Sequence, residues 1–226
     1  MDWRTGDRQP SLLTRCQHRT RELHLEAEKS GIVREILRGK ASRSGYALLL
    51  RNLLPVYRRL EGGLEAHRGT PGLGLIAIPA LYRSAAISSD LSQLCGNEWS
   101  TALPVLASAE RYMERVALAA QTGGHGLIAH SYVRYMGDLN GGQILKRLLA
   151  RSLNLAPAML SFYDFPGIAD LDAFKADYRD CLEQAGLQVT DAESIVEEAA
   201  EAFRLNIALS KEIEELADSG EASPPD

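Results

Sequence analysis

The 226-residue sequence contains few cysteines. Cys16, Cys95 and Cys181 are an odd number and form no C-x-x-C pair, which argues against a disulfide framework and against a zinc site. No uninterrupted apolar run reaches the roughly 18 residues that a bilayer span requires. Residues 1–4 also begin no apolar signal core. These absences predict a cytoplasmic protein without a membrane segment, whose thiols stay reduced.

The sequence also lacks the polar–apolar alternation of β-strands. No stretch alternates over more than four residues and no repeat is evident, whereas apolar residues recur at spacings of three and four. The length suits a single domain with a buried core. We therefore predict an all-α domain over residues 11–217, with a flexible arm at 1–10 and a disordered polar tail at 218–226.

Several function classes are excluded by what is missing. The 25 Lys and Arg residues are outnumbered by 30 Asp and Glu residues, which argues against general nucleic-acid binding. Neither a P-loop nor a G-x-S-x-G motif is present, so a nucleotide hydrolase or serine hydrolase is not indicated. The paired Glu-x-x-His motifs of di-iron helical bundles are absent too.

Helical periodicity and capping residues predict where the helices lie. Pro55 falls inside the second helix and is expected to kink it. Thr190 and Glu193 form a capping-box pattern that opens the last helix. The predicted helices run from Ser11 to about Ser30 or Gly31, from Ser42 or Ser44 to about Leu60, over about 79–95, 104–121, 125–152 and 170–184, and from Thr190 to about Leu216.

Three glycines interrupt the predicted helix at 125–152. Each costs a helix interior about 1 kcal/mol relative to alanine, so Gly137, Gly141 and Gly142 together cost about 3 kcal/mol. Asp138 falls on the same helix face as Arg134 and two of these glycines. Close packing of two helices with an ordinary Arg134–Asp138 pair is one interpretation. The other is a site where a ligand approaches the bare backbone.

His24, on the first predicted helix, is followed one turn later by Glu28. A carboxylate at this spacing can orient an imidazole that binds a metal, although a solvated His–Glu contact has the same pattern. The remaining histidines give weaker signals: His18, His67, His125 and His130, the last without a carboxylate on its own helix face.

Lys175 and Arg179 lie one turn apart on the helix predicted at 170–184. Such a pair can clamp an anionic ligand, and arginine can bind a carboxylate through two hydrogen bonds. On a surface helix the same pair is more often solvated charge. The functional interpretation needs a ligand with two negative groups, such as haem with its two propionates.

Five segments, in this order, resemble the haem oxygenase family: residues 21–28, 132–143, 162–168, 174–179 and 202–207. The G-D-L-x-G-G core that begins at Gly137, together with an upstream histidine at the right distance, makes the resemblance highly specific. The resemblance implies a haem-oxygenase-like helical bundle. In that fold haem lies between a proximal N-terminal helix and a kinked, glycine-rich distal helix.

The resemblance also implies roles for the residues around the iron. His24 matches the proximal iron ligand and Glu28 its hydrogen-bond partner. Asp138 matches a carboxylate that orders distal water and acts through that water, not on iron directly. The other matching residues are Arg134, Tyr57 and Asn206 around Asp138, Gly137, Gly141 and Gly142 against the haem face, and Phe203 in the pocket wall.

Tyr132, Lys175 and Arg179 match residues that hold the haem propionates. One position departs from the family pattern. The residue seven before the proximal histidine is often a propionate-binding lysine, and here it is Gln17. His18 and Arg21 are the nearby alternatives for that role. This departure leaves open how haem is rotated in the site, and therefore which meso carbon is attacked.

The activity implied is the opening of haem b to biliverdin, expected to be the IX-alpha isomer, with release of carbon monoxide and ferrous iron. Haem is both substrate and cofactor, and O₂ is the oxidant. Electrons are expected from an external ferredoxin or reductase, because the sequence has no flavin or nucleotide motif. A monomer is expected. The alternatives are a non-enzymatic haem carrier or sensor, a thiamine-degrading hydrolase on a similar fold, and a purely structural helical protein.

Overall fold

The computed structural model describes residues 10–219, which are α-helical with short 3₁₀ turns and contain no β-strand. The predicted all-α class is therefore confirmed. Most of the arm predicted at 1–10 and of the tail predicted at 218–226 lies outside the described residues. The helices are α1 (Leu12–Lys29), α2 (Gly31–Leu37), α3 (Arg43–Ala66), α4 (Leu73–Ile76), α5 (Ser84–Cys95), α6 (Trp99–Ala102), α7 (Ala107–Gln121), α8 (Gly126–Ser131), α9 (Gly137–Asn140), α10 (Gly142–Ser152), α11 (Leu171–Gly186) and α12 (Ala192–Ser219).

The helix starts follow from side-chain caps. The Ser11 hydroxyl accepts a hydrogen bond from a first-turn amide of α1, and the Ser42 hydroxyl accepts one from the Gly45 amide at 3.0 Å. Ser42, and not Ser44, thus begins α3. The cap predicted at Thr190 is wrong. The Asp191 carboxylate accepts the first-turn amides of α12 at 3.1 and 3.3 Å, and aspartate is among the strongest N-caps.

Helix α2 was missed from the sequence. Gly31 ends α1 as predicted, but the chain enters a new helix at once, and seven residues are too few to show periodicity. The backbone at Gly31 has φ +62°, and a Cβ there would lie 2.3 Å from the Ser210 carbonyl carbon. Only glycine fits, so this position brings α12 directly against the junction of α1 and α2.

The core surrounds α3, whose buried face runs from Gly45 to Leu64. The helix continues through Pro55, with α5 and α7 packed against it. On the other side α1 lies along α12, joined by ion pairs such as Arg19–Glu197 and Glu26–Lys211. Within residues 10–219, no helix has the length and apolar character that a membrane crossing requires.

The single helix predicted at 125–152 is divided. After α8 the chain forms a π-helical turn at Tyr132–Met136, then the short α9, and a break at Gly141 before α10. A π-helical turn widens the helix by one residue, and such turns are frequent at functional sites. The interruption agrees with the kink that the resemblance implied for the distal helix, whereas the π-helical turn was not predicted, because periodicity alone does not register a one-residue change in winding. This distal segment (residues 126–152) forms one wall of the cavity described next.

Candidate active site

A cavity of about 250 Å³ is lined by residues of α1, α2, α3, α12 and the distal segment. Its walls are largely aliphatic and aromatic, with Leu49 and Leu53 of α3 and Phe162 among them. A sizeable subset of the sequence-predicted site residues reaches this cavity: His24, Glu28, Arg134, Gly137, Asp138, Gly141, Gly142, Phe203 and Asn206.

His24 stands on the α1 side of the cavity. Its Nδ1 atom is 3.6 Å from the Glu28 carboxylate, which is too long for a hydrogen bond but keeps the two groups adjacent. The side chains of His24 and Glu28 are 60% and 50% exposed, and the His24 ring lies 5.8 Å from the Phe203 ring. The imidazole is therefore accessible at the wall of the cavity.

Four polar side chains from three segments, α3, the distal segment and α12, meet at the cavity. The Tyr57 hydroxyl donates to the Asp138 carboxylate. The Arg134 guanidinium donates to the Tyr57 oxygen at 2.9 and 3.1 Å and to the Asn206 amide oxygen at 2.7 Å, and it lies 3.5 Å from Asp138. We call Tyr57, Arg134, Asp138 and Asn206 the distal network. Tyr57 is fully buried and only 6% of Asp138 is exposed.

In the distal network, burial and the neighbouring charged groups shift the pKa values of Asp138 and Arg134 in opposite directions. Burial raises the pKa of Asp138 above its ordinary value, and the Arg134 charge with the Tyr57 hydrogen bond offsets this only in part. Burial also lowers the pKa of Arg134, but Tyr57 and Asp138 outweigh that effect, so the guanidinium stays charged. A fixed cation beside a carboxylate of raised proton affinity can position a water molecule and exchange a proton with it.

The glycines differ in what surrounds them. A Cβ added to Gly137 would meet nothing within 4 Å, and one on Gly141 would meet only the Gly137 carbonyl oxygen at 3.5 Å. A Cβ on Gly142 would lie 3.2 Å from the Tyr163 ring. Close helix packing therefore explains Gly142 but not Gly137 or Gly141, whose bare backbone faces open space.

The residues predicted to hold propionates do not line the cavity. Gln17 and Arg179 are exposed, and Lys175 is paired with Asp172 at 2.7 Å. Tyr132 is half-buried between α1 and α11, where burial raises its pKa and the Arg179 charge opposes the rise. The structure gathers the iron-side and distal residues around one cavity and leaves these four residues outside it.

Two groups were missed from the sequence. His130 has no carboxylate on its own helix face, but it is fully buried and its Nε2 lies 2.9 Å from Glu198 of α12. Because His130 and Glu198 are 68 positions apart in the sequence, no local sequence pattern indicates that they form a pair. Phe162 and Tyr163 also line the cavity, and only the resemblance over residues 162–168 pointed to their segment.

Comparison with known proteins places these features in a family. The sequence pattern of the family described as heme oxygenase matches residues 10–212. Heme oxygenase 1 of Synechocystis sp. is 35% identical over 90% of this chain and 85% of its own length, and the human heme oxygenase 1 is 34% identical over 91% and 73%. The crystal structure of the Synechocystis heme oxygenase 1 in complex with heme matches with a TM-score of 0.85 at 33% identity, covering 93% of this chain and 96% of that one. The heme oxygenase from Leptospira interrogans matches with a TM-score of 0.83 at 36% identity, covering 90% and 100%. The chain belongs to the haem oxygenase family.

Proposed function

We propose that this chain oxidises haem to biliverdin, releasing carbon monoxide and ferrous iron, with O₂ as the oxidant and electrons from an external protein. The observation that carries the proposal is the buried distal network, which faces the same cavity as His24 across the bare backbone of Gly137 and Gly141. A haem carrier would need the cavity and His24, but it would not need a buried carboxylate fixed by a charged arginine.

The cavity fits a flat, largely apolar ring. Its apolar walls suit a macrocycle, and the open space beside Gly137 and Gly141 lets a ring approach the helix backbone. Among the described residues, no three His, Cys, Asp or Glu side chains converge as a free metal ion would require. An iron held by His24 would therefore need most of its donor atoms from its own ring. When bound, haem supplies both the oxygen-activating iron and the carbon skeleton that is oxidised.

His24 binds the iron through a neutral ring nitrogen in this proposal. Glu28, one helical turn away, orients the imidazole by accepting its other N–H once the 3.6 Å separation shortens. Phe203 bounds the same side of the cavity next to the His24 ring. The proximal role of α1 is thus to present one imidazole at a fixed angle.

On the opposite side, Asp138 holds and orders water in the cavity. Arg134 fixes the carboxylate by its charge, and Tyr57 and Asn206 fix Arg134. The raised pKa of Asp138 favours proton delivery through the ordered water. Gly137 and Gly141 leave room for a ring to lie close to the backbone, which keeps bulk water away from that face.

Tyr132, Lys175 and Arg179 are proposed to hold the propionates at the α1–α11 side, with Gln17 at the position often occupied by lysine. These contacts would set the rotation of the ring and give the IX-alpha isomer. The electron donor is proposed to be a ferredoxin or an NAD(P)H-dependent reductase, and the protein a cytoplasmic monomer. Isomer chromatography of the product and sedimentation of the purified protein test these points.

The first test is the absorption spectrum of the purified protein with one equivalent of haem, followed in air after a reductase system is added. We expect a sharp Soret band that decays into a broad red biliverdin band while carbon monoxide is released. A Soret band that forms and persists would favour a carrier. Failure to form the band would contradict haem binding itself.

A further inference from the structure

A short stretch of the cavity wall is held between two buried charges. The 3₁₀ turn Ser161–Tyr163 carries Phe162 and Tyr163 into the cavity lining. On one side stands Asp90 of α5, which is fully buried. On the other stands Arg83, the residue before α5, which is 4% exposed.

Asp90 binds the backbone amides of the turn. Its carboxylate accepts the Ser161 amide at 2.9 Å, the Phe162 amide at 2.8 Å and the Ser161 hydroxyl. Arg83 binds the backbone carbonyl groups. Its guanidinium donates to the Asp164 carbonyl oxygen and, at 3.4 Å, to that of Phe162. Both backbone groups of Phe162 are therefore held by opposite charges, in the direction that matches the dipole of a helical turn.

The charged groups of Asp90 and Arg83 are buried and form hydrogen bonds with backbone groups instead of with water. Burial raises the pKa of Asp90 and lowers that of Arg83, as expected for charges in a medium of low dielectric. An apolar residue at either position would leave backbone groups of the turn without hydrogen-bond partners, and each buried polar group left unpaired destabilises the fold. The gain from charged groups at these positions is a fixed location for the turn that they hold.

The Ser161–Tyr163 turn contacts both the distal network and the distal segment. The Phe162 ring packs edge-on against Tyr57 with centroids 5.7 Å apart, and Tyr57 belongs to the distal network. The Gln143 side-chain amide, one residue after Gly142, donates to the Tyr163 carbonyl oxygen at 2.7 Å. A displacement of the turn would therefore alter the shape of the cavity on the side of the distal network.

We infer that Asp90 and Arg83 are positioning residues that fix the Phe162–Tyr163 wall, and that this wall acts together with the propionate contacts proposed above to set the rotational seating of the bound ring and thereby the meso carbon that is opened. This inference rests on the proposed function. Neither residue lines the cavity, so each acts through the wall.

The test compares the variant Asp90→Asn with the wild type. Asparagine keeps the volume but places an NH₂ group, which is a donor, at one of the two oxygen positions that each accept a backbone amide of the turn, so one of these two hydrogen bonds is lost. A matched control is Glu212→Gln, because Glu212 also accepts a backbone amide, that of Ser108 at 2.8 Å, but lies outside the cavity lining. Ring seating is read from the haem methyl proton shifts of the ferric cyanide complex, and the opened carbon from biliverdin isomers on chromatography.

We expect Asp90→Asn to raise the ratio of minor to major isomer about tenfold, the effect of one charged hydrogen bond, and to shift the haem methyl resonances in parallel. Glu212→Gln should lower the melting temperature without changing either pattern. If Asp90→Asn leaves seating and isomers unchanged, its role is stability alone and the inference is wrong. If Asp90→Asn does not fold, the test uses Ser161→Ala, which removes the hydroxyl of Ser161 and keeps both amide hydrogen bonds to Asp90. A smaller shift in the same direction would support the inference, and no shift would contradict it.

The two proposals can fail separately. A wild-type protein that binds haem but forms no biliverdin would contradict the proposed function. The methyl shifts of Asp90→Asn would still test the wall. Absence of haem binding in the wild type would overturn both.

Discussion

Asp138 is held by a charged arginine and a tyrosine hydroxyl at the cavity wall, and only 6% of the residue is exposed. Removing its charge should leave the cavity shape and the iron ligand in place. We expect Asp138→Asn to bind haem with affinity within about threefold of the wild type, and ring opening to slow by about 100-fold or more, the usual contribution of a positioned proton donor. Single-turnover spectroscopy of the preformed haem complex measures both quantities. Unchanged turnover would remove Asp138 from the mechanism.

His24 is the imidazole at the cavity wall, and an exposed histidine outside the cavity lining provides its control. His24→Ala should alter the spectrum of the haem complex and abolish ring opening, and added imidazole should restore both, because a free imidazole can occupy the vacated space. His125→Ala truncates another exposed histidine, one outside the cavity lining, and should bind and turn over haem like the wild type. A normal haem spectrum in His24→Ala would mean that another side chain binds the iron.

At the scale of the element, two glycines of the distal segment, Gly137 and Gly141, lower its helix stability and leave open space beside its backbone. Gly137 and Gly62 form a matched pair, since both are helical and a Cβ on either meets nothing within 4 Å. Alanine at either position should therefore raise the free energy of unfolding of the haem-free protein by roughly 0.5–1 kcal/mol.

Only Gly137→Ala places its new methyl group in the cavity, because Gly137 lines it and Gly62 is on the surface of α3. We expect Gly137→Ala to weaken haem binding and slow ring opening while Gly62→Ala changes neither. Chemical denaturation and haem titration of both variants measure the two effects. Equal haem binding by the two variants would show that the cavity does not extend to this backbone.

At the scale of the whole molecule, Glu198 joins α12 to α7 and α8. Its carboxylate accepts hydrogen bonds from Arg115 of α7 at 2.8 Å and is 2.9 Å from Nε2 of His130 on α8. Burial raises the pKa of Glu198, but the hydrogen bonds from His130 and Arg115 outweigh it and hold the pKa at about 2, below the ordinary 4.5.

A carboxylate whose folded pKa is lowered stabilises the fold above its unfolded pKa, and the stabilisation is lost as the pH falls through the folded pKa. Glu198→Gln should therefore lower the free energy of unfolding at pH 7 by on the order of 2–3 kcal/mol. The difference from the wild type should shrink between pH 4.5 and about 2. Denaturant titrations across this pH range measure it.

Glu201→Gln, on the same helix, is the control. Glu201 is paired with Arg204 one turn away at the partly exposed surface, and such pairs contribute at most about 1 kcal/mol. A pH-independent difference for Glu198→Gln, or an equal loss for Glu201→Gln, would contradict the assignment of this stability to the Glu198 ion pairs.

The sequence by itself determined the features that depend on neighbouring residues. Periodicity and caps predicted the all-α class, the start of α1 at Ser11, the start of α3 at Ser42 or Ser44, and the stop at Gly31, because a capping bond spans about one helical turn. The motif at Gly137 and the upstream His24 gave the family. The partners of Asp138 were placed beside it by resemblance, not by any spacing in the chain.

Only the tertiary structure decided which distant residues meet. It paired His130 with Glu198 across 68 residues, brought the seven-residue α2 against the cavity, and widened the distal segment into a π-helical turn. It also left Lys175 and Gln17 outside the lining. These outcomes depend on how helices pack, and packing sums many weak contacts between segments that carry no mutual signal in sequence.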